Sequence, residues 1–231
     1  MSLSTQQLAA QRNLSYILAE KLAQRILKGE YPVGSILPGE IELGALFNVS
    51  RTAVREAVKT LTAKGMLLPR PRIGTRVMPR AQWNFLDKEL LAWWMTKDNL
   101  DFIVDDFIVM RHSIEPQACA LAAIHSDDIQ QQKLISIMKE MVSLQDTFDK
   151  NHWIETDMAY HELVYEMSGN AFMTSFANLF RPVYHNYFTA ITDNKVVKLD
   201  LHQAIVDAIC QRDSQAAFAA CVALLNEPMS H

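Results

Sequence analysis

Cysteine and glycine are scarce in this sequence, and no long apolar run is present. Three cysteines, Cys119, Cys210 and Cys221, are spread over 231 residues, and none forms a Cys-x-x-Cys pair. That excludes a disulfide framework and a thiolate zinc site and fits a reducing cytoplasm. No apolar stretch approaches the roughly 20 residues needed to cross a bilayer. The first residues lack the basic and apolar regions of a secretory signal. A cytoplasmic protein with no membrane partner is therefore expected. Hydrophobic residues make up 49% of the chain, enough to exclude disorder and to supply a sizeable core.

What is present is unevenly placed. Up to Arg80 there are 12 Lys+Arg and 5 Asp+Glu, a net of +7; beyond it there are 10 and 21, a net of −11. Six of the seven glycines precede position 80, and all seven histidines follow it. A basic block joined to an acidic block is what a nucleic-acid-binding module fused to a different module shows. The expected division is a DNA-binding domain over 10–80, a linker with a Trp-rich helix over 81–98, and an all-helical domain over 99–231. The fold class is then mainly α, a winged helix-turn-helix followed by a helical bundle.

The first block carries the signals of that motif. Leu14 to Leu27 has a helical apolar stripe closed by Gly29 and Pro32. Glu40 to Phe47 reads as a short helix with Ile41, Leu43, Ala45 and Leu46 toward the core. Asn48-Val49-Ser50 is a tight turn, with Ser50 as the N-cap of a helix over Thr52 to Lys64. Val54, Ala57, Val58 and Leu61 face inward, and Gly65 ends the helix. Two short extended runs, Met66–Pro69 and Thr75–Met78, flank a basic tip holding Arg70, Arg72 and Gly74. Arg51 and Arg55 are four apart, hence on one face at the helix end that enters a major groove. Arginine donates two bonds to guanine O6 and N7, while Ser50, Thr52 and the free N–H groups suit phosphate oxygens. Arg70 and Arg72 suit the adjacent backbone or minor groove. A solvated basic face is the bland alternative, but the pair, the turn and the tip coincide.

The residues Leu37-Pro38-Gly39-Glu40, Val49-Ser50-Arg51-Thr52-Ala53-Val54-Arg55-Glu56-Ala57, Gly65-Met66-Leu67 and Gly74-Thr75-Arg76-Val77 closely resemble the DNA-binding domain of GntR-family regulators. The resemblance covers 14–78 and implies that Ser50, Arg51, Thr52, Arg55 and Gly74 contact a double-stranded operator. Many relatives carry a basic residue where this chain has Ile41, so one DNA contact is expected to be missing.

The second block reads as about six helices joined by short loops, after a helix over Trp83 to Thr96 whose Trp93-Trp94 pair is expected to pack between the modules. The helices span Phe102–Ile124, Asp127–Phe148, Asn151–Ser168, Ala171–Thr189, Val196–Arg212 and Ser214–Asn226, the last capped by Asp213. In the second of these Ile129, Leu134, Ile137, Met138, Met141 and Leu144 are expected inward. Arg111 and Glu115 interrupt an apolar pattern, and spacing leaves two readings open: an ion pair on a wet face, or an arginine fork for a ligand carboxylate. Asp157 and His161 share one helix face and are potential metal donors. His202 opens the stripe His202, Ile205, Val206, Ile209 and qualifies as a third. His185 is compatible with either a surface or a site position.

Arg111-x-x-x-Glu115-Pro116, Asp157-x-x-x-His161, Ser168-Gly169-Asn170 and His202-x-x-Ile205 to Asp213 resemble the FCD effector domain of FadR-type GntR regulators, over roughly 100–226. The resemblance implies an all-α domain that dimerises, holds a divalent metal (Zn, Ni or Mn) and binds a small organic acid such as a sugar acid or dicarboxylate. It places Asp157, His161 and His202 as metal ligands. A fourth histidine, expected near Leu224, is absent, leaving a three-ligand set. Arg111, Glu115, Asn170 and His185 are the candidate effector residues. Trp83-Asn84-Phe85-Leu86-Asp87 also resembles sugar-acid-responsive members. The expectation is a homodimeric repressor, not an enzyme, released from an inverted-repeat operator by an acid. A metal-dependent enzyme and an acyl-CoA sensor are the alternatives.

Overall fold

The computed structural model describes residues 5–96, 99–177, 181, 183, 185 and 198–226. The chain divides into two compact units, Met1–Trp94 and Met95–His231.

In the first unit, α1 (Thr5–Leu27), α2 (Glu40–Phe47) and α3 (Arg51–Ala63) precede a two-stranded antiparallel sheet, β1 (Leu67–Arg70) and β2 (Gly74–Val77). A 3-10 turn (Arg80–Gln82) and α4 (Lys88–Trp94) complete it. α1 lies on α3, where Leu18, Leu22 and Ile26 meet Val54, Ala57 and Leu61 in one buried cluster. Ser50 caps α3, its Oγ accepting from Ala53 N at 3.2 Å, as its residue type requires. Asn48 takes the left-handed conformation that lets the chain reverse between α2 and α3. The register pairs Leu67 with Val77 and Arg70 with Gly74, so Pro71, Arg72 and Ile73 form the exposed tip.

Three expectations for this unit are corrected. Ile41 is 70% exposed, and Ala45 and Leu46 are exposed as well; only Leu43 and Gly44 of α2 are buried. A helix of two turns has one narrow inward stripe, and close packing at Gly44, where a Cβ would stand 3.1 Å from Val49 O, points that stripe at Leu43. α1 starts at Thr5, earlier than Leu14. The Trp-rich helix starts only at Lys88, because Asp87 accepts from the Glu89 and Leu90 N–H groups and fixes the helix start there.

α4 is bound to the end of α3. The ammonium of Lys64 is buried between Asp87 Oδ1 at 2.6 Å and Glu89 Oε2 at 2.7 Å, with the Trp93 ring centroid 5.2 Å away. Asn84 N donates to Lys64 O, and Trp83 Nε1 donates to Met78 O. Gly65, in the left-handed conformation (φ 75), lies so close to Gln82 O that a Cβ would overlap it. Trp83, Leu90 and Trp93 thereby join the first unit's core.

The second unit is helical throughout its described residues: α5 (Leu100–His125), α6 (Asp128–Ser143), α7 (Lys150–Met167), α8 (from 171, described to 177), α9 (Leu199–Cys210) and α10 (Ser214–Asn226). Asp127 closes a capping box with Gln130, Asp149 caps α7, and Asp213 accepts from Gln215 N and Ala216 N as expected. α10 packs on α5 and α9, and α7 on α5 and α6, around a core that includes Leu134, Met138, Trp153, Ile205 and Leu224. Ile129 is 81% exposed, against expectation: it lies in the first turn of α6, on the face opposite Leu134 and Met138. α6 ends at Ser143, short of Phe148. The expected stretches 178–180 and 186–197 lie outside the described residues.

Candidate nucleic-acid interface and metal centre

At the start of α3, Arg51, Thr52 and Arg55 are exposed, as are Arg70, Arg72 and Gly74 at the sheet tip. Arg55 Nε donates to both carboxylate oxygens of Glu40 at 2.9 Å, and Arg51 Nη2 lies 3.7 Å from the same group. Glu40 was not singled out from the sequence. Its signal was an acid at the first turn of the helix preceding an arginine pair. Nε of Arg55 is thus engaged by Glu40, and its side chain is 59% exposed. The arginine hydrogen bond holds the Glu40 carboxyl below its ordinary value. Gly74 adopts φ +109, and a Cβ there would stand 2.7 Å from Ile36 Cγ2, so glycine is what lets the tip fold onto the strand-like segment at Ile36.

In the second unit, α7 turns Trp153, Asp157, Tyr160, His161 and Val164 inward. Asp157, His161 and His202 are 1%, 5% and 4% exposed, and one donor atom from each lies within 4.8 Å of the others. Asp157 Oδ1 is 3.1 Å from His202 Nε2, and Asp157 Oδ2 is 3.9 Å from His161 Nε2. The shorter approach has no hydrogen-bond geometry: both Asp157 oxygens and His202 Nε2 are buried without a hydrogen-bond partner. His202 Nδ1 lies 2.9 Å from Lys198 O, a carbonyl that can only accept, so Nδ1 carries a proton and Nε2 is the nitrogen that faces Asp157. Tyr160 OH donates to His202 O at 3.0 Å and fixes that turn of α9.

Charge states follow from the surroundings. Burial pushes the His161 imidazole well below its ordinary value; Asp157 opposes this, while Arg111 and His202 add to it. Burial alone would raise the Asp157 carboxyl, yet the adjoining His202, His161 and Arg111 hold it low. One carboxylate and two imidazoles brought together in this way are a donor set that a borderline divalent cation takes. The chemistry of these residues fits such an ion, with Asp157 Oδ1 and Oδ2 and His202 Nε2 buried and without a hydrogen-bond partner.

Arg111 and Glu115 form a two-pronged pair at 2.7 and 3.0 Å, with Glu115 buried and Arg111 half-buried rather than on a wet face. Glu115 is also 3.6 Å from His161 Nδ1, which joins the pair to the Asp–His cluster. Asn170 Oδ1 accepts from Phe172 N and Met173 N, capping α8. His185 is exposed. Leu224, where a fourth histidine was looked for, is packed in the apolar core.

A basic winged helix-turn-helix and a helical unit with a buried carboxylate–imidazole cluster define a two-module DNA-binding regulator. The sequence agrees: residues 14–77 match the profile of the bacterial regulatory proteins of the gntR family, and residues 106–227 match the FCD domain. The chain belongs to the GntR family of transcription regulators, with an FCD domain, and is not an enzyme. It is 67% identical over 228 residues, 99% of each chain, to the uncharacterized HTH-type transcriptional regulator YieP of Escherichia coli (strain K12). It is 29% identical to the galactonate operon transcriptional repressor of the same organism, over 88% of this chain and 90% of that one. The HTH-type transcriptional repressor NanR of Salmonella newport (strain SL254) is 31% identical over 94% of this chain and 84% of its own. Among solved structures, Streptococcus agalactiae GntR aligns with a TM-score of 0.50 and 28% identity, covering 91% of this chain and 97% of that one.

Proposed function

We propose that the protein is a homodimeric repressor, bound to an inverted-repeat operator and released when a small organic acid enters the helical unit beside a divalent metal. Asp157, His161 and His202 hold the metal, which supplies a positive centre for a carboxylate. The observation that carries this reading is the convergence of buried acceptor atoms, Asp157 Oδ1 and Oδ2 with His202 Nε2, that have no hydrogen-bond partner. The names of two relatives, repressors of a galactonate operon and NanR, support the mode of regulation. A short polar acid suits the cluster better than an acyl-CoA, whose tail would meet buried charge.

In this reading Arg51 and Arg55 address base edges, Arg55 through its Nη edge. Thr52 and the N–H groups at the start of α3, where Ser50 is the cap, address phosphates. Arg70, Arg72 and Gly74 place the wing on the backbone or minor groove. Arg111 and Glu115 orient His161 and set the charge at the acid's side of the metal. Asn170, whose Oδ1 caps α8, and His185, exposed on its helix, complete the four effector candidates. Release requires an acid that favours one state by several kcal/mol, about 5.5 to swing occupancy from 99:1 to 1:99.

The test is selection of binding sequences from random DNA, followed by fluorescence anisotropy with and without sugar acids. The Arg51→Ala, Arg55→Ala variant should lose roughly 10- to 1000-fold in operator affinity, at about 1–3 kcal/mol per base-reading arginine. Binding as tight as wild type overturns the proposed interface.

A further inference from the structure

Four buried side-chain atoms among the described residues lack a hydrogen-bond partner. Three are the acceptors that a metal satisfies. The fourth is of the opposite kind: the indole Nε1–H of Trp153, a donor that no cation can satisfy. Trp153 is fully buried and stands on α7 one turn before Asp157, so the two share a helix face with Cβ atoms roughly 6 Å apart. Arg111 brings its charge to the same carboxylate, lowering it. Buried orphaned donors are rare in native proteins, and one beside a ligand centre calls for an acceptor from outside the chain.

We propose that Trp153 is a specificity-determining residue of the effector site, donating its indole N–H to a hydroxyl or carboxylate oxygen of a hydroxy acid whose carboxylate lies on the metal. The inference rests on the metal-and-acid reading above and sharpens it. The effector class becomes an acid with a second oxygen a few bonds from its carboxylate. An unsubstituted aliphatic acid places CH₂ against the indole and leaves the donor unpaired, which a site built to hydrogen-bond rejects.

The experiment uses full-length, metal-loaded protein and calorimetric titration with D-galactonate, citrate and propionate. Two variants remove the N–H: Trp153→Phe, and Trp153 replaced by its sulfur isostere, 3-benzothienylalanine. The isostere keeps the shape if the phenylalanine variant packs poorly. Expected is a loss of about 10-fold for galactonate and citrate, with propionate affinity and metal content unchanged. The isostere alone, in the absence of acid, should melt no lower than wild type, since no internal hydrogen bond is lost. Equal galactonate and citrate affinity in the isostere and wild type overturns the Trp153 assignment and leaves the metal-and-acid reading standing. Wild type that retains metal but takes up none of the three acids overturns that reading and the assignment with it. Loss of metal or a large drop in melting temperature in the isostere shows the indole N–H to be structural and also overturns the assignment.

Discussion

Replacing Lys64 by methionine removes one charge and little volume from the joint between α3 and α4. The ammonium is 6% exposed, whereas its partners Asp87 and Glu89 are 27% and 37% exposed. Breaking a fully buried pair costs about 3–5 kcal/mol, because the remaining charge is stranded. An exposed pair is worth about 0–1 kcal/mol. Here the carboxylates can recover water but the cation–ring contact with Trp93 is also lost. The cost should therefore fall between, at about 2–3 kcal/mol. For a unit of this size that is roughly 10–20 °C in the melting of the first unit. Tryptophan fluorescence follows it, since Trp83, Trp93 and Trp94 all lie there. Burial works to lower the Lys64 ammonium's affinity for its proton, but hydrogen bonds to Asp87 and Glu89 reverse this and raise it. Its contribution is thus complete below about pH 10.4 and lost as pH climbs through the higher folded value. For Asp87 burial pushes the other way, and the Lys64 bond with the Leu90 and Glu89 N–H groups wins, lowering it. That contribution is present above about pH 3.9 and lost as pH falls through the lower folded value. The stability gap between wild type and variant should be flat between those limits and shrink outside them. A variant within ~0.5 kcal/mol of wild type at pH 7, or a gap that varies across pH 5–9, refutes the reasoning.

Gly65→Ala puts a methyl onto Gln82 O and an alanine at φ 75, so it should destabilise the first unit by more than ~2 kcal/mol in the same melt while leaving the second unit's transition in place. Asp157→Asn keeps the shape of the cluster but removes its negative charge. Metal content by elemental analysis should fall from about one ion per chain to near zero, and chelator should lower the second unit's melting temperature in wild type but not in the variant.

Local chemistry was legible in the sequence wherever one or two turns of chain decide it. Ser50, Gly65 and Asp213 are caps recognisable from residue type and neighbours, and they stand where expected. Asp157 and His161 share a face by spacing alone, and His202 was found because it opens an apolar stripe. Long-range partners left no such trace. Glu40 lies 15 residues from Arg55, Asp87 lies 23 from Lys64, and Glu115 meets His161 from another helix. Their pairing depends on how helices are laid against each other. α2 defeated the periodicity argument for a different reason: eight residues give too few turns for a stripe to declare its direction, and four apolar residues of that helix were read as inward when one is.

The cluster's composition bears on how a signal starts. Asp157 and His161 belong to α7, His202 to α9, and the Arg111–Glu115 pair that abuts His161 belongs to α5. Asp157 Oδ1 and Oδ2 and His202 Nε2 meet in a buried place without hydrogen-bond partners, a local cost to the packing of α7 and α9. A cation converts the same contacts into attraction. In the proposed reading, the mutual positions of α5, α7 and α9 respond to whatever alters charge at this one point. In the proposed reading, an acid bound to a metal there adds negative charge beside Glu115 and Asp157 and offers an oxygen to the Trp153 indole N–H. Small differential interactions at a junction of three packed helices are the kind that favour one discrete arrangement over another, since packed interfaces deform in steps. In the proposed reading the site is then a point of control for the unit's geometry as well as a place of binding.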